Sequence, residues 1–330
     1  SLELGTGGSA PTSTAASGSS TDGSAGVGGG PPLGSYSVTF GPVPVKPGVE
    51  RTQCVVKRLG NPASMHVGAI QNSLSDGSHH LIVYRTNDTE EQLTPFDCDP
   101  FVDTLDPAKG SPLMITQKHE ETLSLPQGVA FTLETDQMVR LEMHYINASG
   151  GNLDIGASST FIPITDEQFK DEADFLFIGN PDISIPPNSS KTLGPTFFPV
   201  PSTFDGANFF AITGHTHQWG TDVTVSTAPS STGPDTPVYK VPDWQWSEPA
   251  TVYQSPAFTI PSGGGFRFSC SWDNQSDQTV GFGESANNEM CFFWAYYYPS
   301  KGAFVCVHTD QLPGGLDLCC PGNPLCDQLF

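Results

Sequence analysis

Residues 212–219 read ITGHTHQW. Side chains two apart on an extended strand share a face, so His215 and His217 present two imidazoles side by side. Two neutral imidazoles make half of a metal site. Among the eight histidines of the chain, further ligand candidates sit in two other places. His79 and His80 are adjacent and follow the turn-forming SLSDGS, and His144 closes the run MVRLEMHY.

Period two in that run puts Val139, Leu141, Met143 and Tyr145 on an apolar face and Arg140, Glu142 and His144 on a polar or cleft face. His79 and His80 pose a different problem, because neighbours on a regular strand point to opposite sides. A bulge or irregular strand start would bring both to one metal; otherwise one packs and the other is solvated, and spacing alone leaves the two readings even. The run NNEMCFFWAYYY places Met290, Phe292, Trp294 and Tyr296 on one face. A thioether beside two imidazoles is a soft set that favours Cu(I), whereas histidines alone leave zinc a strong competitor. If Met290 faces a metal, Phe292 and Trp294 form a wall for an apolar or aromatic substrate, or they pack beneath the metal. His66, His119 and His308 read as structural or surface residues.

Short strands must position these groups. Runs of Val, Thr, Phe and Tyr lie between turn residues, 35 Gly and 30 Pro punctuate the chain, and amphipathic helical patterns are scarce; the pattern is all-β. Strands are expected at 36–40, 53–57, 67–71, 81–85, 130–133 and 138–145, then at 174–178, 190–193, 208–213, 222–226, 252–258, 265–272 and 290–298. Two sandwich domains meeting near residue 165 account for them, with no visible repeat period. Thr165 and Gln168 are spaced to cap one short helical turn within 165–175.

Residues 1–34 are almost all Gly, Ser, Thr, Ala and Pro, the composition of a flexible tether. With 13 Lys plus Arg against 35 Asp plus Glu, the formal charge of -22 repels phosphate backbones and anionic membranes, which argues against nucleic acid as a partner. No apolar run is long enough for a membrane span. The chain starts without Met or a signal peptide and reads as a trimmed product. Eight Cys without a CxxC pair read as disulfides, which places the protein in an oxidising compartment: secreted, periplasmic or at the cell surface. Sequons at Asn87, Asn147, Asn188 and Asn274 fit secretion, though a Ser/Thr-rich chain also produces them by chance.

In order and spacing, SHHLIVYR, LPQGVAF with RLEMHYIN, GHTHQWG and EMCFFWAYY resemble the copper type II ascorbate-dependent monooxygenases, the group with peptidylglycine α-hydroxylating and dopamine β-monooxygenases. The resemblance covers about residues 50–300. It implies two jelly-roll-like antiparallel β-sandwich domains in tandem, each with one copper, facing across an open cleft. The division would be a tether at 1–34, an N-terminal sandwich at 35–165, a C-terminal sandwich at 166–305 and a Cys-rich tail at 306–330. His79, His80 and His144 would hold the electron-transfer copper; His215, His217 and Met290 would hold the oxygen-activating, catalytic one. Ascorbate or another one-electron reductant and O2 complete the reaction, hydroxylation of a C–H bond in a small molecule or peptide.

The resemblance further implies the bridges Cys54–Cys98 and Cys270–Cys291. Adjacent cysteines seldom bridge each other, so Cys319 and Cys320 go separately to Cys306 and Cys326, in either order. Peptide-amidating relatives carry a carboxylate-gripping Arg where Thr213 stands and a Tyr where Trp294 stands, which disfavours a peptide carboxylate as substrate. Two other functions compete: a secreted copper-binding or interaction protein without turnover, and a zinc hydrolase. The hydrolase needs a general base; Glu142 shares the face of His144, but nothing similar accompanies His215 and His217.

Overall fold

The structure is a computed structural model that describes residues 34–98, 110–283, 285–321, 323 and 326. The expected tether lies outside these residues up to Gly34, as does most of the end of the Cys-rich tail. In the first half the main strands are β1 (Tyr36–Val45), β2 (Glu50–Arg58), β3 (Met65–Leu74), β4 (Ser78–Thr86), β5 (Gly110–Thr116), β6 (Val129–Leu133), β7 (Met138–Ile146) and β8 (Leu153–Ile164). In the second they are β9 (Asp174–Gly179), β10 (Ser189–Pro199), β11 (Asn208–His215), β12 (Gly220–Ala228), β13 (Thr236–Lys240), β14 (Thr251–Phe258), β15 (Gly265–Asn274) and β16 (Phe292–Tyr298). The fold is all-β, as the turn-punctuated sequence predicts. Every expected strand overlaps an observed one. The sequence does not predict β5, β8 or β13; in β8, Gly156, Ser158, Ser159 and Pro163 dilute the apolar alternation.

The strand orders are β1-β8-β3-β6 and β2-β7-β4-β5 in the first half, and β9-β16-β11-β14 and β10-β15-β12-β13 in the second. Adding eight to each label of the first pair of sheets gives the second pair. A repeat is therefore present where the sequence shows no period. With the strands so matched, residues 130–149 align with 257–276 without a gap, and Ala130, Phe131, Thr132, Arg140, Asn147 and Ser149 meet identical residues. Divergence of the intervening apolar residues, Leu141 to Phe268 or Tyr145 to Trp272, hides the repeat because only size class is kept.

The matched Asn residues do the same work. Asn147 donates to Val45 O and Gly151 O, while its Oδ1 accepts from the Ser149 N–H and hydroxyl. Asn274 donates to Ile185 O, Pro186 O and Gln278 O and accepts from Ser276 in the same way. Both are 0% exposed, so these two sequons are buried turn motifs with no room for a glycan.

Burial patterns show where the sheets pack. On β15, Phe266, Phe268, Cys270 and Trp272 are buried and the residues between them are half-buried, the mark of one wet face. On β16 both faces are covered: Phe293, Ala295 and Tyr297 enter the core of the second sandwich, and Phe292, Trp294 and Tyr296 join the core of the first. A single apolar core thus runs across the junction of the two sandwiches. The Ile115 N–H donates to the Tyr296 hydroxyl there at 3.4 Å.

The expected helical turn at 165–175 is a hydrogen-bonded turn instead. Gln168 Oε1 accepts the Thr165 N–H at 2.9 Å, as a cap would, but the chain rejoins sheet structure at Asp171–Glu172 before a helix can form. Four disulfides are present: Cys54–Cys98, Cys270–Cys291, Cys306–Cys319 and Cys320–Cys326. The last two settle the tail pairing that adjacency left open.

Phe292 and Trp294 are 3% and 2% exposed and lie 4.9 and 6.2 Å from the Phe177 ring. They are core residues, not an open wall, because the first sandwich covers the face they occupy. Trp294→Ala should cost about 3–5 kcal/mol of stability, read from the midpoint of denaturant unfolding. A cost below about 1 kcal/mol would show that this face is solvated in solution.

Candidate metal centre

Ser78 pairs with Tyr145 and His80 with His144, and the register slips between them, so His79 is the extra residue of a β-bulge. The bulge turns the His79 side chain to the same side as its neighbour. His79 Nδ1 and His80 Nδ1 lie 3.2 Å apart, close to the roughly 3.3 Å expected of two nitrogens on one tetrahedral ion. Ring nitrogens of His79, His80 and His144 all lie within 4.8 Å of one another. His144 Nε2 is 2.9 Å from Glu50 Oε1; donating there leaves Nδ1 for a metal, the carboxylate–histidine arrangement that orients metal ligands. The buried Nε2 of His79 has no hydrogen-bond partner among the described residues.

The second pair sits in the corresponding turn, between β11 and β12. The His215 and His217 rings are 5.1 Å apart at 87°. His215 Nδ1 faces Gln117 Oε1 at 2.9 Å and His217 Nδ1 faces Asn288 O at 3.2 Å. Donation of both Nδ1 protons leaves both Nε2 lone pairs as donors. Met290, 5% exposed, is linked to this pair through Glu289, whose carboxylate accepts the N–H groups of His217, Trp219 and Met290 and the Trp272 indole N–H. Burial pushes the Glu289 carboxyl up to about 7 against those four donors, which hold it down.

The two sets meet. The His79 ring lies 5.5 Å from His217, and all five rings are at most 6% exposed. Among the described residues no open cleft of the kind implied by the resemblance separates the two sets, because the shared core draws the sandwiches together. Trp246 lies 5.6 Å from His79, and the Trp244 indole donates to the Thr216 hydroxyl at 3.2 Å. Thr213 is 2% exposed, with its hydroxyl 2.8 Å from that of Thr251. His66, His119 and His308 lie away from the cluster, bonded to Thr132, Leu74 O and Asp317. Glu142 accepts from the Tyr84 hydroxyl at 2.9 Å. Glu50, Gln117, Glu289 and Trp246 escaped the sequence reading; only Glu289, beside Met290, had a local cue.

Residues 172–312 match the family described as copper type II ascorbate-dependent monooxygenase, C-terminal domain. The second sandwich belongs to that copper monooxygenase family. No curated protein matches the chain. Among solved structures, the chain is similar to the major capsid protein P2 from Bacteriophage PM2, at 10% identity over 82% of this chain and 99% of that one, TM-score 0.36. It is also similar to the STIV MCP, at 8% identity over 81% and 97%, TM-score 0.34. Neither likeness bears on the metal centre. Copper and ascorbate are the family's requirements, and the chain's three-histidine group offers a nitrogen-only donor set suited to copper.

Burial lowers the pKa of all five rings, holding His79, His80 and His215 well below 6.5 and His217 at about 4. They are therefore neutral, with free lone pairs, at pH 7. Between pH 6.5 and 4 the unfolded chain takes up protons on them that the folded chain refuses, so stability falls as pH falls. For the metal-free protein, His217 alone should account for roughly 2 kcal/mol between pH 6.5 and 5, read from unfolding curves at each pH. A flat profile would show the rings to be solvated.

Proposed function

We propose that this protein is a copper-dependent monooxygenase that uses O2 and ascorbate, or another one-electron reductant, to hydroxylate a C–H bond of a small molecule. His79, His80 and His144 hold one copper and His215, His217 and Met290 a second, catalytic one. The observation that carries the reading is the convergence of three buried imidazoles and a buried His–His pair, with Met290 linked to it, in a chain whose second half belongs to the copper monooxygenase family. Bound copper supplies one-electron chemistry with O2 at such a site.

The chain's own groups prepare the donors. Gln117 and Asn288 O take the Nδ1 protons of His215 and His217 and so fix which nitrogen is free. Glu50 does the same for Nε2 of His144. Glu289 holds the backbone of His217 and Met290 to one carboxylate, and Trp246 covers His79 and limits water. The buried Thr213, engaged with Thr251, offers no cation for a peptide carboxylate, which favours substrates without one. The four disulfides support an oxidising, extracytoplasmic location. We further propose the domain division 35–165 and 166–305, with the tail from 306 as a cystine-stapled cap.

A second reading, a copper-binding protein without turnover, is favoured by one observation: the five rings are almost wholly buried. Copper-loaded protein with ascorbate should consume O2 and yield hydroxylated product from a panel of amines, phenols and apolar small molecules. His215→Ala and Met290→Ala should each lower product formation by at least about 100-fold, since each removes a proposed ligand and not merely a supporting group. Two bound coppers with no coupled product from any class would establish the binding protein instead.

A further inference from the structure

The two ligand sets are each held by a residue that reaches across the junction of the sandwiches. Gln117 directly follows β5 of the first sandwich and is 5% exposed, yet its Oε1 meets His215 Nδ1 of the second. Its own Nε2 is buried with no partner among the described residues, so the side chain is kept in place at the expense of an unmet donor. Glu50 opens β2 of the first sandwich. Its Oε1 faces His144 Nε2 at 2.9 Å and accepts the Ala286 N–H of the second sandwich at 3.1 Å, and Ser285 Oγ lies 3.4 Å from Oε2.

The turn that Glu50 grips leads directly to the second ligand set. Asn288 N–H donates to Ser285 O at 2.8 Å, Asn288 O meets His217 Nδ1, and Glu289 and Met290 follow. One carboxylate therefore touches a ligand of the first set and the backbone that carries two contacts of the second. Alternative supports are absent from what is described: His215 Nδ1 and His144 Nε2 each have a single hydrogen-bond partner given by the structure.

We propose that Gln117 and Glu50 are positioning residues that couple the two metal sets across the junction, so that each site is complete only when the sandwiches are docked. Gln117 fixes the tautomer and aim of His215 from the opposite sandwich. Glu50 fixes His144 and, through the 285–290 turn, the placement of His217 and Met290. The inference rests on the two-copper reading above.

The test is anaerobic titration of the full chain with Cu(I), with X-ray absorption to separate the sets, since only the second contains a thioether sulfur. Gln117→Leu should weaken the sulfur-containing site by about 10–100-fold, the usual effect of losing an outer partner of a histidine ligand. Gln117→Glu, which keeps an acceptor, should restore most of it. Glu50→Ala should weaken the all-histidine site and also the sulfur-containing one, although Glu50 bonds to none of its ligands; Glu50→Gln guards against simple misfolding. Wild-type affinity and spectra at both sites in Gln117→Leu and Glu50→Ala would overturn the coupling and leave the two-copper reading intact. Failure of the wild-type chain to bind two ions would overturn the two-copper reading itself.

Discussion

Burial of β9, β16 and β11 on both faces is the constraint on which the rest depends. One face packs on its own partner sheet and the other on the first sandwich, so β9 and β16 are apolar at nearly every position. A sheet covered on both faces holds its strands in one register, because any slip would carry side chains to the wrong core. His215 ends β11 beside Phe292 of β16 in that register. The candidate metal centre inherits its position from this apolar junction, whose core includes Met290.

The repeated strand order accounts for the occurrence of two candidate ligand sets. His79 and His80 open β4 just after the β3–β4 turn, and His215 ends β11 with His217 in the β11–β12 turn that matches it. Third donors flank matching connections as well, His144 near the end of β7 and Met290 just before β16. Ser271 stands where His144 would repeat, so the halves share a scaffold but take the last donor from opposite sides of the same loop. A duplicated sandwich offers the same corner twice, and docking the copies through a shared core brings the two corners together.

Imidazoles in such a corner are neutral for a simple reason: charging them would strip a cation of water without an anion close enough to repay it. Glu50 is the carboxylate bonded to the ring of a proposed ligand, His144, and desolvation still outweighs it there. The same dryness demands that every polar group near the ligands be satisfied, and Glu289 meets that demand by collecting four N–H donors from three segments. Buried carboxylates here act as struts for the backbone.

The sequence by itself determined the strand-rich class, through alternation and turn residues, and the pairing of His215 with His217 on one stretch, because both are local properties of an extended chain. It also demanded a bulge if His79 and His80 were to share a side, and the register slip between Ser78 and His80 supplies it. Only the tertiary structure decided that the two sets touch, that Phe292 and Trp294 are core, that Cys320 closes on Cys326, and that the halves repeat. Gln117 and His215 are 98 residues apart and Glu50 and Ala286 are 236 apart. Contacts of that range leave no periodicity in the chain; they exist because docking of two apolar faces brings distant loops within hydrogen-bonding reach.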